Sequence, residues 1–268
     1  MREILSPFGI RSPFGQRRRT FSPAALFAAS EPGVWLDPSD PATLFTDTAG
    51  TTQAGIGDPV ALVLDKSGNG NHATQPTLAS RPILREANGL RYLEFDGVDD
   101  YLQTPSITPG TDKVQVFAGV RKLSDAATGV LLEYSPTVDA SNGSLIIAAP
   151  GFGGSQRYNF RSRGTSVANA NVTTGFAAPT SNGLTGLGHI SGNLATLRID
   201  GVQVAQSTDN QGTGNYLAYP VFIGSRAGST LFFNGHIYSL IVRFGPNLDT
   251  PTIERTERYV AKRTGVQL

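Results

Sequence analysis

Bulky apolar residues recur at every second position in short runs, and Gly, Pro, Asn and Asp fill the gaps between the runs. Residues 114–120, 129–134, 144–148, 157–161, 186–191 and 218–224 each read as a β-strand on this pattern. With the runs around them they amount to about a dozen strands, enough for two antiparallel sheets packed face to face. Residues 60–64 read as a buried strand that enters a Gly/Asn loop at 65–73, where compact turns need positive φ angles. Along residues 91–102 the alternation through Tyr92 and Phe95 breaks at an Asp-Gly turn and resumes at Tyr101 and Leu102. That break predicts two strands meeting at a corner of the sandwich. Residues 163–183 are poor in bulky apolar groups and are expected to meander over the surface.

Two segments carry helix signals instead. Residues 22–29 read as a short helix with Ser22 as cap and Pro23 in first position, stopped by Glu31-Pro32-Gly33. Near the end, Thr250 is the expected cap, Pro251 takes the first position, Glu254 pairs with Arg258, and Gly265 closes the helix. Ile253, Val260 and one of Thr256 or Tyr259 are expected to face the sandwich. Trp35, between Val34 and Leu36, reads as a core plug rather than a sugar platform.

Composition narrows the class. Charged residues are 16% of the 268, against 31 Gly and 17 Pro, which suits turn-rich sheets and argues against a helical bundle. A net charge of +1 gives no reason to invoke nucleic acid or a membrane as partner. Without cysteine there is neither a disulfide framework nor a thiolate metal site, and His72, His189 and His236 are too scattered to suggest zinc.

The N-terminal segment differs from the rest. Ser6-Pro7-Phe8-Gly9-Ile10-Arg11 is followed by Ser12-Pro13-Phe14-Gly15-Gln16-Arg17, and Arg18 and Arg19 extend the tandem. Five arginines (Arg2, Arg11, Arg17, Arg18, Arg19) against Glu3 give residues 1–30 a local charge of +4. Such a unit is too short to build its own core. It reads either as a disordered tail or as a docking peptide in which Phe8 and Phe14 anchor and Arg11, Arg17, Arg18 and Arg19 form the rim. Arg18-Arg19-Thr20-Phe21 mimics a twin-arginine signal, but Pro23 breaks the short apolar run behind it, so no export is expected. The expected division is a docking arm with its short helix at 1–30 and one β domain at 31–268.

Several stretches together resemble a known family. Residues 65–73 are similar to the "D-x-SGNGNHA" element, and 95–101 to the "FDG-x-DDY" element, of laminin-G-like, concanavalin A-like jelly rolls. Residues 195–204 resemble their "L-x-(V/I)-DG-x-x-V" hairpin, and 222–225 with 233–242 their closing strands. The resemblance spans residues 34–268 and implies an all-β, antiparallel two-sheet jelly-roll sandwich with an extended N-terminal arm and a short C-terminal helix. Residues 34–82 further resemble a segment recurring in tailed-phage structural proteins, and 257–266 the terminal helix of bacterial and phage surface proteins. This implies a virion component, made in the host cytoplasm and present in several copies.

The candidate chemistry is sparse. Glu94, Asp96 and Asp99 approach the "E-x-D-x-x-E" pattern of jelly-roll glycosidases, but the acid position is Asp and Gly97 breaks the strand. The same acids serve equally as caps of their own turn. No Gly-x-Ser-x-Gly elbow or phosphate loop is present, so no catalytic residue is assigned and the protein is not expected to be an enzyme. Asp65, Asn69 and Asn71 offer oxygens to calcium without the dense carboxylate spacing of a dedicated loop, so Asx turns are expected and no cofactor is assigned. Tyr101, Tyr134, Tyr158, Asn142, Arg226 and Asn234 are the candidates for glycan contact.

The sequence therefore predicts a virion structural protein of a tailed phage, docked to other virion proteins through residues 1–20 and displaying its jelly roll outward. The alternative is a carbohydrate-binding module that recognises host surface polysaccharide. A glycoside hydrolase ranks third.

Overall fold

Seventeen strands run through the described residues, 21–152, 156–171 and 175–268 of a computed structural model. The docking candidates Phe8, Arg11, Phe14, Arg17, Arg18 and Arg19 lie outside these residues. In chain order the strands are β1 (Gly33–Leu36), β2 (Leu44–Phe45), β3 (Leu62–Val63), β4 (Ala73–Thr74), β5 (Ile83–Ala87), β6 (Leu90–Asp96), β7 (Leu102–Gln103), β8 (Lys113–Lys122) and β9 (Val130–Tyr134). They continue as β10 (Ser144–Ala148), β11 (Asn159–Arg163), β12 (Val167–Asn171), β13 (Thr180–His189), β14 (Leu194–Ile199), β15 (Val202–Ser207), β16 (Val221–Ile223) and β17 (Asn234–Phe244). One sheet runs β15-β14-β13-β8-β17-β6-β5, with β1 added on β17; the other runs β12-β11-β10-β9-β16-β7-β4-β3-β2. The pairings are antiparallel, as the alternating sequence requires for a sandwich with two inner faces.

Alternation along each strand supplies the core. Val116, Ala118 and Val120 of β8 and Leu240, Val242 and Phe244 of β17 turn inward from one sheet. Leu132 and Tyr134 of β9, Leu145 and Ile147 of β10 and Phe160 of β11 meet them from the other. Each Val, Leu, Ile or Phe among them contributes about 1.5–3 kcal/mol on full burial.

The stretch 91–102 is the corner its pattern predicts: β6 belongs to the first sheet and β7 to the second, so the intervening turn carries the chain across the sandwich. Asp100 Oδ2 accepts the Asp96 N–H at 3.0 Å, and Asp96 Oδ1 accepts the Val98 N–H at 2.7 Å, so the acids cap the turn they form. Phe95 packs beneath Gly224, where a Cβ would come within 2.5 Å of its ring.

Outside the first sheet lies a second apolar cluster. A 3-10 turn at Pro23–Phe27 and the helix α1 (Thr250–Thr264) bury Leu26, Phe27 and Val260 against Trp35, Phe117 and Ile241. Trp35 is thus a core plug, and Ser22 caps its turn as predicted, by accepting the Ala24 N–H. Val260 and Thr256 are both buried, with Ile253 and Tyr259 partly so.

Three local expectations are corrected. Of the stretch 163–183, expected to meander, residues 167–171 form β12 and 180–183 the start of β13; Ala168 and Ala170 are fully buried, yet alanine carries too little apolar surface to mark a strand in sequence. The strand expected at 157–161 is displaced to Asn159–Arg163. Asp249, not Thr250, caps α1, accepting the Thr252 N–H at 2.9 Å.

Candidate functional site

The described residues hold a groove of about 790 Å³ on the outer face of the second sheet, where four of its shortest strands lie side by side. Leu44, Val63, Ala73 and Leu102 point into the core. Their neighbours Phe45, Leu62, Thr74 and Gln103 therefore point outward, and the pairing places them in one row, Phe45 beside Leu62, Leu62 beside Thr74, Thr74 beside Gln103. Two residues further along their strands, Leu64, His72 and Tyr101 emerge on the same face and also line the groove.

The walls are held by groups that the sequence gives no reason to connect. Arg81 spends its guanidinium on three carbonyls, donating from Nε to Gln75 O (2.9 Å), from Nη1 to Thr46 O (3.0 Å) and from Nη2 to Pro76 O (2.7 Å). It thereby ties the loop after β2 to the loop after β4. Asp47 folds the first of these loops, accepting the N–H groups of Thr51 (3.1 Å) and Thr52 (2.7 Å). The Thr51 backbone bond leads the effects that hold its carboxyl down at about 2. Gln75, fully buried, donates to Tyr101 O at 3.2 Å and fixes the backbone from which that ring projects. The ring leans on Gly228, where a Cβ would come within 2.7 Å of it.

His72 is oriented from below, because its Nδ1 accepts the Asp65 N–H at 3.0 Å. The neutral imidazole consequently carries its proton on Nε2. Neither that nitrogen nor the side chains of Thr74 and Gln103 have a hydrogen-bond partner among the described residues. The groove thus combines the rings of Phe45 and Tyr101 with an imidazole donor, an amide and a hydroxyl.

Of the predicted glycan contacts, Tyr101 alone lines the groove. Tyr134 and Tyr158 are corrected to core residues: both are fully buried, Tyr134 donating to Ile107 O at 2.6 Å and Tyr158 to Asn182 Oδ1 at 2.9 Å. Burial pushes both phenols up, beyond any titration near neutrality. Arg226 is spent elsewhere on the same sheet face, on the buried Glu133 (2.9 Å) and on Asp139 (3.1 Å). Arg161 joins the network through Asp139 at 2.9 Å and stacks over Phe152. Asn142 is exposed, and its carbonyl accepts from Tyr219. Asn234 sits opposite Asp96 in the β17–β6 pairing, against Gly97.

The calcium candidates form a structural loop. Asp65 accepts N–H bonds from Trp35, Ser67 and Asn71 and the Ser67 hydroxyl, while the amides of Asn69 and Asn71 donate to Gly33 O at 3.2 and 2.8 Å. This is the Asx-turn arrangement, and it staples the loop to β1. Carboxylates gather instead at the corner, where oxygens of Asp96, Asp99 and Asp100 lie within 4.8 Å of one another. Burial, with repulsion from Asp96, Asp99 and Glu94, pushes the Asp100 carboxyl up to about 6. Glu94 pairs with Arg85 at 3.3 Å and Asp99 accepts from Ser80, and none of the glycosidase-like acids lines the groove.

No protein-family model and no curated protein matches this chain. Solved structures do. The binding domain of botulinum neurotoxin DC in complex with SialylT aligns over 86% of this chain and 52% of its own, with a TM-score of 0.55 at 10% identity. Trypanosoma rangeli sialidase in complex with the inhibitor DANA aligns over 84% of this chain and 32% of its own (TM-score 0.54, 11% identity). Domain 4 of a GH43 extracellular arabinanase from Geobacillus stearothermophilus, in complex with arabinotriose, aligns over 75% of this chain and 91% of its own (TM-score 0.53, 13% identity). The chain thus spans about half the length of the neurotoxin domain and a third of the sialidase. At these identities the likeness is one of fold, and the fold is the antiparallel two-sheet sandwich.

Proposed function

We propose that this chain is a carbohydrate-binding β-sandwich whose ligand lies in the groove floored by Phe45, Leu62, Thr74 and Gln103. The observation that carries the reading is the pairing of two aromatic rings with unspent polar groups in one cavity of about 790 Å³. A sugar ring has an apolar C–H face and a rim of hydroxyls; Phe45 and Tyr101 suit the first, and His72 Nε2, Thr74 and Gln103 the second. Further support comes from the neighbours whose names include a bound glycan, the neurotoxin domain with SialylT and the arabinanase domain with arabinotriose. Binding ranks above hydrolysis because the acids Glu94, Asp96 and Asp99 are engaged in ion pairing and turn capping away from the groove. A glycan array followed by calorimetry on the full chain tests the reading: a bound saccharide released by Tyr101→Ala is expected, and an array without any binding would sink it.

The setting on a tailed-phage particle rests on the sequence resemblance of residues 34–82 and on the Phe/Arg repeat at 6–17. In that setting residues 1–20 dock several copies on the virion and the groove faces host polysaccharide. Deleting residues 1–20 should leave glycan binding intact and abolish incorporation into particles; unchanged incorporation removes the docking role.

A further inference from the structure

Resting on the groove as the glycan site, we infer that it selects neutral saccharides over glycans that carry a carboxylate. None of its lining residues among those described is Asp, Glu, Lys or Arg. Arg81, bonded to the groove's walls, is not among the lining residues, and three of its five N–H groups are held by the carbonyls of Gln75, Thr46 and Pro76. A carboxylate entering the groove would exchange its hydration for a lining that offers it no lysine or arginine side chain as direct partner. A sugar hydroxyl meets the opposite situation. It both donates and accepts, and so do the Gln103 amide and the Thr74 hydroxyl, whereas a carboxylate only accepts.

Cations with little or no acidic compensation lie elsewhere. Arg255, Arg258 and Lys262 border a separate cavity of about 370 Å³ beside Phe21 on α1. Acidic glycans attracted there would bind weakly and with strong salt dependence, which separates that surface from the groove by experiment. The selectivity also divides the structural neighbours: arabinotriose is a neutral oligosaccharide of the class inferred here, while sialylated ligands belong to the other.

The test uses the full chain and two matched pairs of probes, arabinotriose against a trigalacturonate and lactose against sialyllactose, followed by NMR of the Thr74, Gln103 and His72 signals. The neutral member of a pair should shift these signals, with an affinity that changes less than about twofold between low and high salt. Its acidic counterpart should bind the same signals about tenfold more weakly or not at all. Gln103→Ala, an outward-facing change that spares the core, should weaken the neutral ligand. Tighter binding of the acidic member at these residues overturns the selectivity while leaving a glycan site in place. If no saccharide of either charge perturbs them, both the selectivity and the glycan reading fall.

Discussion

The backbone N–H of Asp65 donates to Nδ1 of His72 at 3.0 Å, and this bond sets what the imidazole presents to the groove. The proton is left on Nε2, on the side open to a ligand. The same Asp65 holds the Trp35 N–H through its side chain at 2.9 Å, so the ligand-facing ring and the start of the sandwich share one anchor.

Replacing His72 by Ala removes one donor to the ligand and leaves the Asp65 N–H to water. Saccharide affinity is expected to fall about five- to tenfold, in line with a net hydrogen bond of about 1 kcal/mol. Stability should drop by a similar amount. Calorimetry of binding and urea unfolding measure the two separately.

Gly228 supports the Tyr101 ring, and its φ of +65° lies in the left-handed region. Gly228→Ala would add a Cβ 2.7 Å from the ring and strain the backbone by about 1–2 kcal/mol. The ring must move, so saccharide binding should be lost while the protein still folds. Retained affinity would show that Tyr101 does not contact the ligand.

Glu133 is fully buried and Arg226 neutralises it at 2.9 Å. Arg226→Ala should cost about 3–5 kcal/mol, since among the described residues no other cation pairs with the stranded carboxylate. Burial already raises the Glu133 carboxyl, so its folded state holds a proton more tightly than the unfolded one. The defect should therefore grow toward neutrality and shrink on acidification, as pH falls through the raised folded pKa toward the usual carboxylate range. Adding Glu133→Gln to the variant should recover part of the loss at pH 7, as chemical denaturation across pH will reveal.

Asp100 carries a second pH signature. Its carboxyl titrates at about 6 in the fold against 3.8 as the reference, so the folded state binds the proton more tightly. The stabilisation is complete below pH 4 and is lost as pH rises through 6. Asp100→Asn keeps an oxygen for the Asp96 N–H and removes the titration. The variant should be more stable than the parent at pH 7.5 by up to about 3 kcal/mol and show a flatter profile between pH 4 and 7 in urea unfolding.

The elements with the strongest local signals were legible without coordinates. Ser144–Ala148 coincides with its expected strand, and the Asp-Gly break after Phe95 marked the crossing from one sheet to the other. Gly265, at φ +75°, ends α1 where the residue type demanded it. Ser22 and Trp35 took their expected parts for the same reason: caps and large apolar plugs are decided by a residue and its immediate neighbours.

The groove was not legible. Phe45, Leu62, Thr74 and Gln103 come from four strands of two residues each, too short to leave a periodic trace, and only their pairing register makes them neighbours. Alternation says which residues share a face but not which face turns inward. Tyr134 and Tyr158 therefore looked as available as Tyr101, although they lie inside the core and Tyr101 outside it. The sequence by itself determined the all-β class, the corner and the caps at Ser22 and Gly265, because these follow from local backbone preference and period-two patterning. The tertiary structure alone decided where polar groups are left unspent, because a hydrogen bond such as Arg81 to Thr46 or Asp65 to His72 depends on which strands the fold sets side by side.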